Sequence, residues 1–131
     1  MNTKIKIIKY VVVLLMLSIT SLYQTVSAQK QVYYSSDWGE KLPSFPNHLI
    51  LKSNVVFVHE NMTMTCDSAI FNTEENLINA YNNIHIYQDT LHLYGDEFFY
   101  DANIKVAEVF GDTVTLYDGK INLQTDYMVM D

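Results

Sequence analysis

Asn83 to Asp101 reads NIHIYQDTLHLYGDEFFYD. Apolar and polar residues alternate from Ile84 to Tyr87, and the alternation resumes from Leu91 to Tyr94 after a short polar step. Asp96 follows, and then the apolar run Phe98 to Tyr100. Successive side chains of a strand point to opposite faces, so this is the signature of two half-buried strands joined by a turn. The stretch has two copies. Asn54 to Asn72, NVVFVHENMTMTCDSAIFN, aligns 29 residues earlier, and Val114 to Asp131, VTLYDGKINLQTDYMVMD, aligns with Ile84 onward 30 residues later.

In the central copy a two-residue turn at Gln88-Asp89 would set Ile86 opposite Leu91 and Ile84 opposite Leu93, all on one face. His85, Tyr87 and His92 would then share the other face. The same register in the first copy, with its turn at His59-Glu60, pairs Phe57 with Met62 and Val55 with Met64. In the third copy Asp118-Gly119 is a strong type I′ hairpin signal. It pairs Leu116 with Ile121 and Val114 with Leu123. Each copy thus yields an apolar cluster of four. A slip of one residue would turn every one of them to the wrong face, so the agreement between copies supports the facing.

Beyond Asp67, Asp96 and Asp126 the strands continue as Ala69 to Phe71, Phe98 to Tyr100 and Met128 to Met130. Connectors over residues 72–76 and 101–105 return the chain as Leu77 to Tyr81 and Val106 to Phe110. Breaks at Asn82-Asn83 and Gly111-Asp112-Thr113 lead into the next ladder. The fold class is therefore all-β: a repetitive antiparallel meander of long strands, each bent near its middle. Gly95 and Gly111 suit a bulge there. Bends at one level in every strand fold the sheet over itself, with its two halves facing across an apolar interior.

The 131 residues allow about one domain. Lys4, Lys6 and Lys9 precede an apolar core, Val11 to Leu17, and Val26-Ser27-Ala28 suits a cleavage site. Residues 1–28 therefore read as a secretory signal peptide cut after Ala28. The other reading is an uncleaved anchor, for which the apolar core is short. Residues 29–52 form a polar leader, loosely ordered over 29–47, with a short strand at His48 to Leu51; Trp38 and Phe45 would pin it to the sheet. Residues 53–131 form the repeat domain.

The formal charge is −7 and every basic residue is Lys. Removing the leader peptide takes away three lysines and no acid. This balance argues against a nucleic-acid partner, and without Arg there is no bidentate clamp for phosphate. Cys66 is the only cysteine, so an exported chain gains no internal disulfide from it.

Few residues suggest chemistry. His85 and His92 resemble a metal pair, but the equivalent positions hold Val56 and Thr63, and Thr115 and Asn122. Zinc would need further ligands, so two solvent-facing histidines beside tyrosines is the preferred reading. Asp67, Asp96 and Asp126 recur at equivalent positions, as bend residues do. Cys66 reads as a small buried hydrophobe. No phosphate loop, nucleophile elbow or zinc-protease motif is present. No enzyme activity, metal or cofactor is expected.

Gly95-Asp96-Glu97-Phe98-Phe99-Tyr100-Asp101, followed by Val106-Ala107-Glu108-Val109-Phe110-Gly111-Asp112-Thr113-Val114, resembles the OstA-like domain of the lipopolysaccharide-transport family. The resemblance covers roughly Ser53 to Asp131. It implies an open, periplasmic β-jelly-roll whose apolar groove shields lipopolysaccharide acyl chains on the way to the outer membrane. Such a domain is either a separate bridge protein or the N-terminal part of the outer-membrane assembly protein. The groove would be walled by the three apolar clusters. Its partners would be the acyl chains, other OstA-like modules stacked edge to edge through the Lys120 to Met130 strand, and the outer-membrane assembly complex. The third repeat stops at Asp131, so the domain is expected to be incomplete at its C-terminus. A second reading keeps the same ladder as the closed core of a structural or adhesive β-repeat from a larger exported surface protein.

Overall fold

The structure, a computed structural model, describes residues 30–131 together with the helical residues 4, 6–8 and 10. The expected cleavage after Ala28 lies outside the described residues. Among the described residues no helix is long and apolar enough to cross a membrane.

Among the described residues eight strands form one antiparallel sheet: β1 (Tyr33–Ser35), β2 (Trp38–Leu42), β3 (Phe45–His59), β4 (Met62–Asn72), β5 (Leu77–Gln88), β6 (Leu91–Asp101), β7 (Val106–Tyr117) and β8 (Asn122–Met130). Their order is β1-β3-β4-β5-β6-β7-β8, and β2 also pairs with β3. The expected all-β meander of long strands is thus present.

The leader is more ordered than its composition suggests. β1 and β2 are two halves of one broken strand that pairs along β3. Asp37 sits at the break. The series Asp37, Asp67, Asp96 and Asp126 runs at intervals of 30, 29 and 30, so the repeat begins a copy earlier than expected. Trp38 and Phe45 are both largely exposed, and Trp38 meets the sheet through the Lys52 ammonium, 5.2 Å from its ring. Backbone pairing holds it, helped by buried Val32 and by Tyr34, whose ring lies edge-on to Phe71 at 5.4 Å. β3 is also a single strand through residues 45–59, where a short His48 to Leu51 strand was expected.

The three hairpin registers all differ from expectation in the same way. Phe57 pairs with Met64 rather than Met62, and Val55 with Cys66. Ile86 pairs with Leu93 rather than Leu91, and Ile84 with Gly95. Leu116 pairs with Leu123 rather than Ile121, and Val114 with Thr125. Each turn lies one residue later, at Glu60-Asn61 and Asp89-Thr90, or becomes a four-residue loop over 118–121. Moving a turn by one residue displaces the partner by two, which preserves every face. Glu60 and Asp89 open their turns at φ 57° and 55°, a left-handed start that the sequence does not announce with glycine. In the last loop Asp118 Oδ1 accepts hydrogen bonds from the Lys120 and Ile121 amides at 2.9 and 2.8 Å. This Asx turn replaces the expected type I′ turn and holds Ile121 outside the ladder.

The mid-strand bends are where the register shifts, between Lys52 and Val55, Tyr81 and Ile84, and Phe110 and Val114 on the outgoing strands. Ser53-Asn54 and Asn82-Asn83 are consecutive left-handed pairs, with φ 62° and 50°, and 64° and 52°. Each bend is tied to the aspartate of the preceding strand. Asn54 Nδ2 donates to Asp37 Oδ2 and Asn83 Nδ2 to Asp67 Oδ2, both at 2.6 Å. The Asp112 amide donates to Asp96 Oδ2 at 3.1 Å. At Gly111 a Cβ would fall 2.7 Å from that same carboxylate oxygen, so the close approach of the third bend requires glycine.

Candidate functional site

Residues paired across an antiparallel sheet share a face, so the register defines transverse rows on the inside of the folded sheet. One runs Phe57, Met64, Ile86, Leu93, Leu116, Leu123 through β3 to β8. Beyond the bends a second runs Leu51, Ala69, Ala80, Phe98, Val109, Met128, and a third Leu49, Phe71, Ile78, Tyr100, Ala107, Met130.

Ring contacts show how far the sheet is folded. Phe71 lies seven residues along β4 from Met64, the partner of Phe57, which is about 23 Å on a flat strand. Yet the Phe57 and Phe71 rings meet edge to face at 5.6 Å. His59 on β3 likewise reaches Tyr100 on the non-adjacent β6, with Nδ1 2.7 Å from the hydroxyl. At Gly95 a Cβ would lie 2.5 Å from Val109 Cγ1 on the opposing half, so this glycine lets the two halves close.

Burial along the first row is graded. Phe57 is 1% exposed and Met64, Ile86 and Leu93 are 0% exposed, whereas Leu116 is half-buried and Leu123 is 45% exposed. Met128 and Met130 on β8 are also only partly covered. The interior is therefore a closed core that runs from β3 into β7, where Ala107, Val109 and Val114 are buried, and an apolar wall that opens at Leu116 and along β8. Of the residues expected to wall a groove, Val55, Phe57, Met62, Met64, Ile84, Ile86, Leu93 and Val114 lie in the buried core. Leu91 and Leu116 pack on its margin, and Leu123 continues the wall into solvent. Ile121, 59% exposed in the last loop, belongs to neither.

The second and third rows contribute as much interior as the first, yet no residue in them figures in the sequence-derived wall. Their signal is the same alternation, continued past each aspartate; Tyr100 and the small Ala69, Ala80 and Ala107 conceal it. At the β5–β6 hairpin end Leu91, Met130 and neighbouring polar residues border an open cavity of about 560 Å³. Beside it a smaller one, about 170 Å³, lies under His59, Tyr100 and Lys105.

The outer face carries the histidines. His85 pairs with Tyr94 and His92 with Tyr87, so the two histidines are diagonal neighbours and not directly opposed. His85 Nε2 and His92 Nδ1 are nevertheless 3.0 Å apart. Tyr94 stacks on His85 at 4.4 Å with 7° between the planes. Burial, and then the neighbouring His92, lower the pKa of His85. Among the described residues no group of three or more His, Cys, Asp or Glu is placed to hold a metal ion. Cys66 is buried, donates weakly to the Ser68 carbonyl at 3.3 Å, and has its thiol pushed up to about 12 by burial and then by Asp67. It is not poised as a nucleophile.

A single bent antiparallel sheet, closed at one end of its strand order and open at the other, is the architecture of an open β-jelly-roll domain. The family model for OstA-like proteins matches residues 27–131, and the chain belongs to that family. Among solved structures it is similar to LptH from Pseudomonas aeruginosa, described as the LptA-homologous periplasmic component of the conserved lipopolysaccharide transport device. The TM-score is 0.68 at 12% identity, over 78% of this chain and 76% of that one. No curated protein matches the chain.

Proposed function

We propose that this chain is a periplasmic lipopolysaccharide-transport module that shields acyl chains against its apolar interior while the sugar portion stays in water. Its driving force is partition: apolar walls replace a bilayer around the hydrocarbon. The observation that carries this reading is the burial gradient along the Phe57 to Leu123 row, which leaves an apolar wall uncovered from Leu116 onto β8. Membership of the OstA-like family supports it, as does a fold shared with LptH. β8 pairs only with β7 among the described strands. Its other edge is suited to strand addition by a further OstA-like module or by the outer-membrane assembly complex, which would prolong the wall.

The closed-core reading, a structural or adhesive repeat, draws support from the full burial of Met64, Ile86 and Leu93. A photocrosslinking side chain decides between them when placed singly at Leu116, Leu123 and Tyr117 of the protein in cells. Transport of acyl chains along the wall gives lipopolysaccharide adducts at Leu116 and Leu123 and none at Tyr117, which paves the outer face. Absence of adducts at both wall positions would refute the carrier reading.

A further inference from the structure

Three segments far apart in sequence meet at one carboxylate. Glu60, in the β3–β4 turn, has Lys105 Nζ of the β6–β7 turn 2.7 Å from its Oε1. Lys30 Nζ, just ahead of β1, lies 3.7 Å from the same oxygen. In a chain of charge −7 this is a rare convergence of two ammonium groups, and one oxygen faces both. Lys105, beside Glu60, holds that carboxyl below its ordinary pKa, with Lys30 adding to the effect.

The cavity of about 170 Å³ adjoins this cluster. Met62, Ala107 and Met130 give it an apolar lining, and Tyr100, Ala107 and Met130 are also members of the third interior row. The polar rim is therefore continuous with the acyl-facing wall. His59, the buried polar residue among the described ones, and the Tyr100 hydroxyl stand at the junction, 2.7 Å apart. Burial, followed by the Glu60 and Asp101 charges, pushes the Tyr100 phenol up to about 12, so it remains a hydroxyl able to donate. Asp131 also lines the cavity, which confines a favourable place for an anion to the two lysine heads.

We propose that Lys105 and Lys30 form a site for the anionic end of an acyl-chain ligand, a phosphate or carboxylate headgroup, in which the Glu60 carboxylate is the resident counter-ion that the headgroup displaces. The inference rests on the carrier reading and adds polarity to it: the tail lies along the wall and the charged end stops at the β3–β4 turn. Both lysines are well exposed, so their ion pairs with Glu60 are individually weak and exchangeable. A doubly charged phosphate competes with a single carboxylate for the same two cations.

The test uses the purified chain and three probes: dodecyl phosphate, dodecyl maltoside with the same tail and an uncharged head, and inorganic phosphate. Dodecyl phosphate should bind several-fold more tightly than the maltoside. Lys105→Gln should weaken the phosphate amphiphile several-fold and leave the maltoside unchanged, and Glu60→Gln should strengthen the phosphate amphiphile. Equal affinity for the two amphiphiles, or insensitivity to Lys105→Gln, overturns the headgroup site while leaving the carrier reading intact. Failure of both amphiphiles to bind overturns the two together. Inorganic phosphate binding as tightly as dodecyl phosphate would mean a free-anion site unconnected with acyl ligands, and also overturns it.

Discussion

The outer-face histidines show how much one distance can decide. The His85 and His92 ring centroids are 5.3 Å apart with 17° between the planes, and the facing nitrogens are 3.0 Å apart. That centroid separation is the N···N distance plus one ring radius on each side. The rings are therefore nearly coplanar and head-on, in a linear N–H···N hydrogen bond, and are not stacked like His85 and Tyr94. Lone pairs aimed at each other hold one proton between them and do not converge on a third point, which a tetrahedral ion requires. Protonating both rings puts an N–H on each facing nitrogen, which breaks the bond and sets two cations side by side. The folded state thus resists protonating His85, whose pKa lies below its ordinary 6.5 for reasons of burial and then of His92. With a depressed folded value, the unfolded chain binds more protons in the range between that value and 6.5. The contribution is present above pH 6.5 and is lost as pH falls through the folded value. Urea midpoints of wild type and His85→Gln, compared from pH 7.5 downward, should converge on acidification; parallel curves would show that the pair carries no such linkage.

At the scale of the strand, the bend is the element that folds this sheet over itself. Alternation in the sequence shows which residues share a face, because parity survives any two-residue error in pairing. It does not show where a turn closes. Glu60-Asn61 and Asp89-Thr90 contain no glycine to mark the left-handed position, and Asp118 overrides the apparent Asp-Gly turn by capping two amides. The bend aspartates were legible as a periodic series, but their partners were not. Asn83 and Asn54 each combine a left-handed backbone with a side-chain bond to the previous strand, and neither property is visible one residue at a time. The two properties separate by substitution. Asn83→Gly keeps the backbone and loses the Asp67 bond, whereas Asn83→Ala loses both. Left-handed alanine costs roughly 1–2 kcal/mol, so the alanine variant should unfold at lower denaturant than the glycine variant by about that amount. Equal midpoints for the two would mean that the bend does not depend on a left-handed residue at this position.

Across the whole molecule, one row of side chains runs from core to solvent without changing chemistry. Phe57, Met64 and Leu123 occupy the same level of the same face, and only the number of strands beyond them differs. The sequence could place all of them inside, since alternation reports face and not depth. It could not show that β3 to β6 close over themselves while β8 stays open, because that depends on strand order and on how sharply the mid-strand bends fold the sheet. Ile121 illustrates the limit: apolar and in phase, it nevertheless lies in a loop held by Asp118. Position along the row should therefore separate stability from binding. Met64→Ala removes a side chain with no exposed surface and should cost about 2–5 kcal/mol of unfolding free energy. Leu123→Ala, nearly half exposed in the wild type, should fall within roughly 0.5 kcal/mol of it. The binding effects should run the other way: Leu123→Ala weakens an acyl probe such as dodecyl maltoside severalfold while the urea midpoint barely moves. A Leu123 variant that lost stability but bound the probe as before would mean that this end of the row is structural core and not acyl-binding wall.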